Sequence, residues 1–399
     1  MKRFIFLAAA LTACKWTDFD DLSDQTWAHS QDKPSIGSTD YGVSIVGAST
    51  PGDGGLVSVV STDSPTYSTI TYDAKGGSKI GDNVLKLGQH YIVSLSQKPI
   101  LVTDGMGDVA LVEKAIDAGK IAVVSGPASS PGDLSFPGSP PQAAAFSAKM
   151  LYITAAAAGP MMPNLFIVDV GTPTNPVKTC VVTDDTAMPL SAAAVATTAD
   201  KVWVWSTTGS LFAYDQAALG ACTTTTAIAP VANTTFTPAT AFAPTAGAGL
   251  HIVDNGTQQY AVLAASGMSS GEVQVVDLKH SPSPAAVGSP LAANGVLSST
   301  IASFDGMTYL VLGFPQNQVG NTTAGEVQIF DLDPATGTLG TTPAETLSDA
   351  QPDNGELFGR DVTTMQFNGK TVLVVAASNE VFSYYRTSLY PTDTRNPAP

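Results

Sequence analysis

The chain is poor in the residues that most often carry chemistry. Only 13% of its 399 residues are charged, with 18 lysines and arginines, three cysteines and four histidines. The histidines, His29, His90, His251 and His280, offer no pair at the i, i+4 spacing of a helical metal site, so no metal is expected. The formal charge is −16 and no basic stripe interrupts it. That balance excludes a nucleic-acid partner and direct attraction to anionic head groups. Beyond the amino terminus, long apolar runs are missing too. The alanine-rich stretch around Ala143 to Val170 is broken by Lys149, Pro160, Pro163 and Asn164, and reads as strands and a loop.

What is present begins at the amino terminus. Lys2 and Arg3 precede an apolar run from Phe4 to Leu11, then Thr12, Ala13 and Cys14. A basic start, a short apolar core and small residues make an export signal, too short to span a bilayer. Leu11-Thr12-Ala13-Cys14 resembles the lipobox of bacterial lipoproteins. The resemblance implies cleavage before Cys14, a diacylglycerol on its thiol and acylation of the new amino terminus. An ordinary secretory signal with a chance cysteine is the alternative. Residues 1–13 are then a signal peptide, and 399 − 13 = 386 residues remain. Losing Lys2 and Arg3 takes the formal charge from −16 to −18. Lys15 is not the aspartate that retains enterobacterial lipoproteins at the inner membrane. The expected location is therefore the bacterial cell envelope, lipid-anchored at the outer membrane, facing the periplasm or the surface. Residues 14–35 form the acylated cysteine and a flexible acidic tether with Asp18, Asp20, Asp21 and Asp24 beside Trp16 and Trp27. Residues 36–390 form the folded body, and 391–399 a disordered tail.

The body is repetitive. Gly271-Glu272-Val273-Gln274-Val275-Val276-Asp277-Leu278 recurs 54 residues later as Gly325-Glu326-Val327-Gln328-Ile329-Phe330-Asp331-Leu332. The same step again reaches Asn379-Glu380-Val381-Phe382. Upstream of each copy stands Asn255-Gly256, Asp305-Gly306 or Asn368-Gly369, dipeptides that supply the positive φ of a two-residue hairpin. An apolar strand follows each turn. β signal recurring in units of this size predicts an all-β chain, a β-propeller of antiparallel strands. Units start near 40, 84, 146, 195, 250, 300 and 362, giving seven blades; six or eight also fit. Asp108 to Gly119 departs from the pattern, because Val109, Val112 and Ile116 share a helical face and predict a short helix. A tandem of β-sandwiches is the structural alternative, which the constant phase disfavours.

The units resemble FG-GAP repeats, the blades of integrin α-subunit propellers. Phe358-Gly359-Arg360-Asp361-Val362 is similar to the Phe-Gly opening, with weaker versions at Tyr41-Gly42-Val43 and Ile80-Gly81-Asp82. Gly313-Phe314-Pro315 falls where the Gly-Ala-Pro element would stand. Leu165 to Val170 with Asn175-Pro176, and Val273 to Leu278 with Ser283-Pro284, resemble the LVIVD-type bacterial propeller repeat, and Val202 to Asp215 a quinoprotein-type blade. Calcium-binding FG-GAP blades carry a series of oxygen ligands. The turns here hold none, so calcium is not expected.

Cys180 and Cys222, an even pair in an exported chain, suggest a disulfide. Both follow similar strands, so they can also occupy matching places in neighbouring repeats, beyond the ~7 Å Cα ceiling of a bridge. Trp203 and Trp205 alternate onto one strand face, either as blade core or as a binding platform for sugar or protein. Gly267-Met268-Ser269-Ser270-Gly271 matches the hydrolase elbow pattern but runs from strand to strand. Glu272, Glu326 and Glu380 recur at one structural position, which keeps them apart around a ring. No catalytic residue and no cofactor are expected. The function expected is adhesion or binding, with a protein or glycan ligand and the membrane as partners. A scaffold or assembly factor of an envelope complex is the alternative, and a propeller lyase or hydrolase a third reading.

Overall fold

The computed structural model describes residues 27–32, 43–49, 56–61, 67–73, 78–80, 84–86, 89–95, 99–103, 108–113, 120–125, 132–135, 141–147, 150–155, 163–169, 177–183, 192–238, 249–265, 271–320, 322–349, 355–367, 370–377 and 381–386. Among them, strands assemble into seven sheets of three to five strands and two small hairpins. The first three strands of each sheet follow one another in the chain and pair antiparallel. The fifth, for instance, runs Gly249–Asp254, Gln259–Ala265, Glu272–Asp277 and Ala285–Ala292. The first strand of every sheet lies beside the first strand of the next, from Val43–Ser49 through Pro99–Thr103, Pro141–Ser147, Ala192–Thr197, Gly249–Asp254 and Ser298–Phe304 to Asp361–Phe367, which returns to Val43–Ser49. The sheets thus stand radially around a common axis, as a β-propeller.

The ring closes through a strand from the opposite end of the chain. Asp361–Phe367, Lys370–Ala376 and Val381–Arg386 form three strands of the last sheet, and Trp27–Asp32 supplies the fourth. Its register runs from Trp27 opposite Arg386 to Asp32 opposite Val381. Residues 27–32, expected to belong to the tether, are this outermost strand, and residues 14–26 lie outside the described residues. Backbone groups along Val381–Arg386 would otherwise face solvent as an open edge.

Two further expectations are corrected. Asp108–Glu113 is a strand, not a short helix, paired with Lys120–Ser125 and Pro99–Thr103. Its Val109-Ala110-Leu111-Val112 run is what a sheet covered on both faces requires, and such a run also satisfies a helical face. The unit placed near residue 84 is a small hairpin, Ser78–Ile80 with Val84–Lys86, inserted between two strands of the first sheet. The second sheet starts at Pro99.

Two-sided burial dictates the core. In Gln259–Ala265, Ala261, Leu263 and Ala265 pack with Trp203, Trp205 and Leu211 of the preceding sheet. Tyr260, Val262 and Ala264 pack with Leu310, Leu312 and Phe314 of the following one. Alternate residues point to opposite faces, so both sets must be apolar. The 54-residue repeat marks equivalent third strands, Glu272–Asp277, Glu326–Asp331 and Val381–Arg386.

Tight turns join first and second strands. Phe304 pairs with Met307, leaving Asp305 and Gly306 at φ 53° and 78°, a two-residue hairpin. Asn255-Gly256 differs: Asp254 pairs with Gln259, so it opens a four-residue turn in which the Asn255 carboxamide oxygen accepts the Thr257 and Gln258 N–H groups at 2.9 and 2.7 Å. Asn368-Gly369 lies outside the described residues, although Phe367 and Lys370 are paired across it.

The Phe-Gly element lies at the seam between the last two sheets. Phe358 is fully buried, its ring 5.0 Å from Phe382 and 6.0 Å from Tyr384. Gly359 has φ +83°, and a Cβ there would sit 2.6 Å from the Glu326 carbonyl oxygen. Gly359→Ala is expected to cost about 2–4 kcal/mol, since both backbone strain and a backbone clash oppose it. Gly306→Ala, where the turn is open, should cost about 1–2 kcal/mol. Urea denaturation of the two variants side by side measures the difference, and equal losses would count against a close-packed seam.

Candidate functional site

The strands give the ring two unlike ends. At one, first and second strands turn tightly at Asn255-Gly256 and Asp305-Gly306, and third strands finish; this is the hairpin face. Asn255 ties it together across sheets, donating through its side-chain NH2 to the Pro334 carbonyl at 2.7 Å. At the other end, first strands begin and second strands pass to third strands; this is the loop face. Each end carries an inserted hairpin: Gln318–Val319 with Thr322–Thr323 stands here, between the second and third strands of the sixth sheet, and Ser78–Ile80 with Val84–Lys86 on the hairpin face, after the third strand of the first.

The hairpin face is acidic by construction. The third strands of the third to sixth sheets end in Asp169, Asp215, Asp277 and Asp331, each paired within the first three residues of its own sheet's second strand. Asp254 and Asp333 add to them. The Gln259 side-chain amide, and then the Gly256 N–H, hold the Asp254 carboxyl below its usual range. Asp333 is lowered through the Thr336 hydroxyl and the Ala335 N–H. These bonds secure the turns and keep the carboxylates charged.

On the loop face, Glu326 is held by two amides. Asn317 Nδ2 donates to its Oε1 at 2.8 Å and Gln328 Nε2 at 2.6 Å. Glu272 takes the equivalent place in the fifth sheet, and Glu380 lies outside the described residues. Glu272 and Glu326 start different sheets' third strands and are not brought together. At the seam, burial and then the Asp349 and Glu356 charges push the Tyr384 phenol upwards, while burial lowers Arg360 against the opposing pull of Asp361.

First strands are stitched by polar bonds near this face. His251 Nε2 and Ser299 Oγ lie 2.8 Å apart, joining the fifth sheet to the sixth. Ser298 Oγ donates to the Gly359 carbonyl at 2.9 Å, joining the sixth to the seventh. Nothing in the repeat pattern had singled out Ser298 or Ser299. Burial pushes the His251 pKa down to about 4, only partly opposed by Ser299. The histidine is thus a neutral inter-sheet link. His280 is exposed, its Nδ1 2.9 Å from the Ser283 carbonyl. His29 and His90 lie in strands Trp27–Asp32 and Gln89–Leu95. Among the described residues, no group of three or more histidine, cysteine or acidic side chains could hold a metal ion. No helix among them is long and apolar enough to cross a membrane.

Trp203 and Trp205 are core, not a platform. They are 2% and 0% exposed, between the fourth and fifth sheets. Trp205 Nε1 donates to the Gly209 carbonyl at 3.1 Å, whereas the Trp203 indole N–H meets no acceptor among the described residues. Both faces of a propeller sheet are covered, so same-face alternation of aromatics on a middle strand leads inward.

Cys180 and Cys222 are joined as a disulfide, with Cα atoms 5.4 Å apart. They are not matching places in successive repeats. Cys180 belongs to Val177–Thr183, the fourth strand of the third sheet. After Leu211–Asp215 the fourth sheet turns through a short helix, Gln216–Gly220, capped by the Asp215 carboxylate. The chain then crosses back, and Thr225–Ala227 pairs in parallel with Val177–Thr183. It returns to Leu211–Asp215 at Phe236, where the Thr234 hydroxyl accepts the Ala213 N–H at 3.2 Å. This excursion replaces a regular fourth strand in the fourth sheet. Gly267 to Ser270 lie outside the described residues, but they connect two antiparallel strands, Gln259–Ala265 and Glu272–Asp277. A nucleophile elbow needs a strand followed by a helix. Cys14 also lies outside the described residues.

Comparison with known proteins shows likeness of fold. No protein-family model matches the chain, and no curated protein matches it. The WD40 β-propeller domain of Doa1 is similar over 92% of this chain and 99% of its own, with a TM-score of 0.51 and 12% identity. A chain of the Chaetomium thermophilum Polycomb Repressive Complex 2 bound to GSK126 is similar over 91% and 98%, with a TM-score of 0.56 and 8% identity.

The His251 link has a pH consequence. In the unfolded chain its imidazole titrates near 6.5, and in the fold near 4. The stability it contributes is present above pH 6.5 and is lost as the pH falls towards 4. Between pH 7 and 5.5 the chain should lose about 1 kcal/mol through this group, where carboxylates scarcely titrate. Urea midpoints at the two pH values test this. His251→Gln should flatten the difference, and an unchanged difference in the variant would assign it to another group.

Proposed function

We propose that the chain is a lipid-anchored lipoprotein of the bacterial cell envelope, a propeller of seven blades that binds a protein or glycan partner through its loop face. The uncharged, irregular margin of the loop face carries this reading: its extra hairpin, Gln318–Val319 with Thr322–Thr323, stands beside exposed Asn294, Gln316 and Gln318, which offer hydrogen-bonding groups without charge. Recognition sites lie disproportionately on loops that a rigid scaffold positions. The lipid on Cys14 would keep that surface at the membrane, and each buried CH₂ of its acyl chains contributes ~0.8 kcal/mol to the hold.

A scaffold within an envelope complex is the second reading, favoured by the likeness to a propeller chain found in a multiprotein complex. The two readings part on accessibility. Protease treatment of intact cells should digest an adhesive propeller, and a scaffold only after lysis. Cys14→Ala should release the chain from the membrane fraction in either case. A chain that stays membrane-bound without that cysteine would remove the lipid anchor from the reading.

A further inference from the structure

Closing the ring with an amino-terminal strand determines the face at which any anchor is rooted. Trp27 pairs with Arg386 and Asp32 with Val381, so the closing strand runs antiparallel to the third strand of its sheet. Val372 pairs with Tyr385, and Phe367 with Lys370, which puts Arg386 at the end where that sheet makes its tight turn. The opposite end is joined to the start of the sixth sheet by Ser298 and Gly359. Trp27 therefore stands on the hairpin face, at the outer rim, and the chain leaves Asp32 on the loop face.

We infer that the hairpin face turns towards the bilayer and the loop face away from it. The inference rests on lipidation of Cys14. Cys14 and Trp27 are thirteen positions apart, a span of about 45 Å at most for any chain conformation. Turning the ring over would force the tether along the full height of the outer strand, roughly 20 Å, before it reached the membrane. Short tethers make that arrangement costly in chain entropy. The acidic collar of Asp169, Asp215, Asp254, Asp277, Asp331 and Asp333 lies on the membrane side, where like charge keeps it from adhering to anionic lipid. The ring is thus held off the bilayer, with Asn294, Gln316 and Gln318 facing outwards.

The test uses the full lipidated chain added to preformed phosphatidylcholine vesicles carrying a head-group energy acceptor. A donor dye is placed at exposed Thr257→Cys on the hairpin face or exposed Gln316→Cys on the loop face, with the disulfide left oxidised. Transfer should be roughly twofold or more higher from position 257. Equal transfer, or more from position 316, overturns the orientation while leaving the anchor intact. Vesicle binding that is no better than that of Cys14→Ala overturns the anchor reading and the orientation with it.

Discussion

Every sheet in this molecule needs a neighbour on each of its two faces. Tyr260, Val262 and Ala264 are buried on one side of their strand, Ala261, Leu263 and Ala265 on the other. A stack of such sheets has an unsatisfied apolar face at either end, and bending it into a ring removes both at once. Nearly everything else follows from that demand. It accounts for the continuous apolar second strands, for the two tryptophans packed inward, and for the glycine seam at the Phe-Gly element, where one extra carbon would press against the Glu326 carbonyl.

The ring was legible because its rules are periodic. Copies of Glu-Val-Gln at a 54-residue step, with Asn-Gly or Asp-Gly ahead of them, locate equivalent third strands whatever their side chains do elsewhere. Legibility fell where a segment obeys two patterns at once. Val109 to Val112 satisfies a two-sided strand and a helical face alike, and the hairpin near residue 84 looks like a unit because it carries strand and turn signals of its own. Trp203 and Trp205 posed the same difficulty: alternation shows that they share a face, but not whether that face meets solvent. Pairings distant in sequence left no local trace. Nothing around Trp27 announces a partner at Arg386, and nothing around Cys222 announces that its segment leaves its own sheet for the edge of the preceding one.

Polar groups at the seams serve cohesion. His251 with Ser299, and Ser298 with Gly359, stitch first strands side by side. Glu326 is occupied by Asn317 and Gln328, so a residue that recurs like a functional marker is a brace for its loop. The disulfide belongs to the same class. It fastens the excursion of the fourth sheet to Val177–Thr183, where only three residue pairs form the parallel ladder.

The outermost strand of the last sheet is also the first of the described strands along the chain. Between Trp27–Asp32 and Val381–Arg386 lie about 350 residues, and bringing such distant ends together costs on the order of 5 kcal/mol in loop-closure entropy. A chain delivered amino end first would present this strand long before its mate existed. Six sheets would have to form or wait meanwhile, with an uncovered apolar face at each end of the growing arc. Such a molecule acquires its final cooperativity in one late event, and a chain cut short by even its last strand would leave Trp27–Asp32 without its mate and Lys370–Ala376 as an open edge.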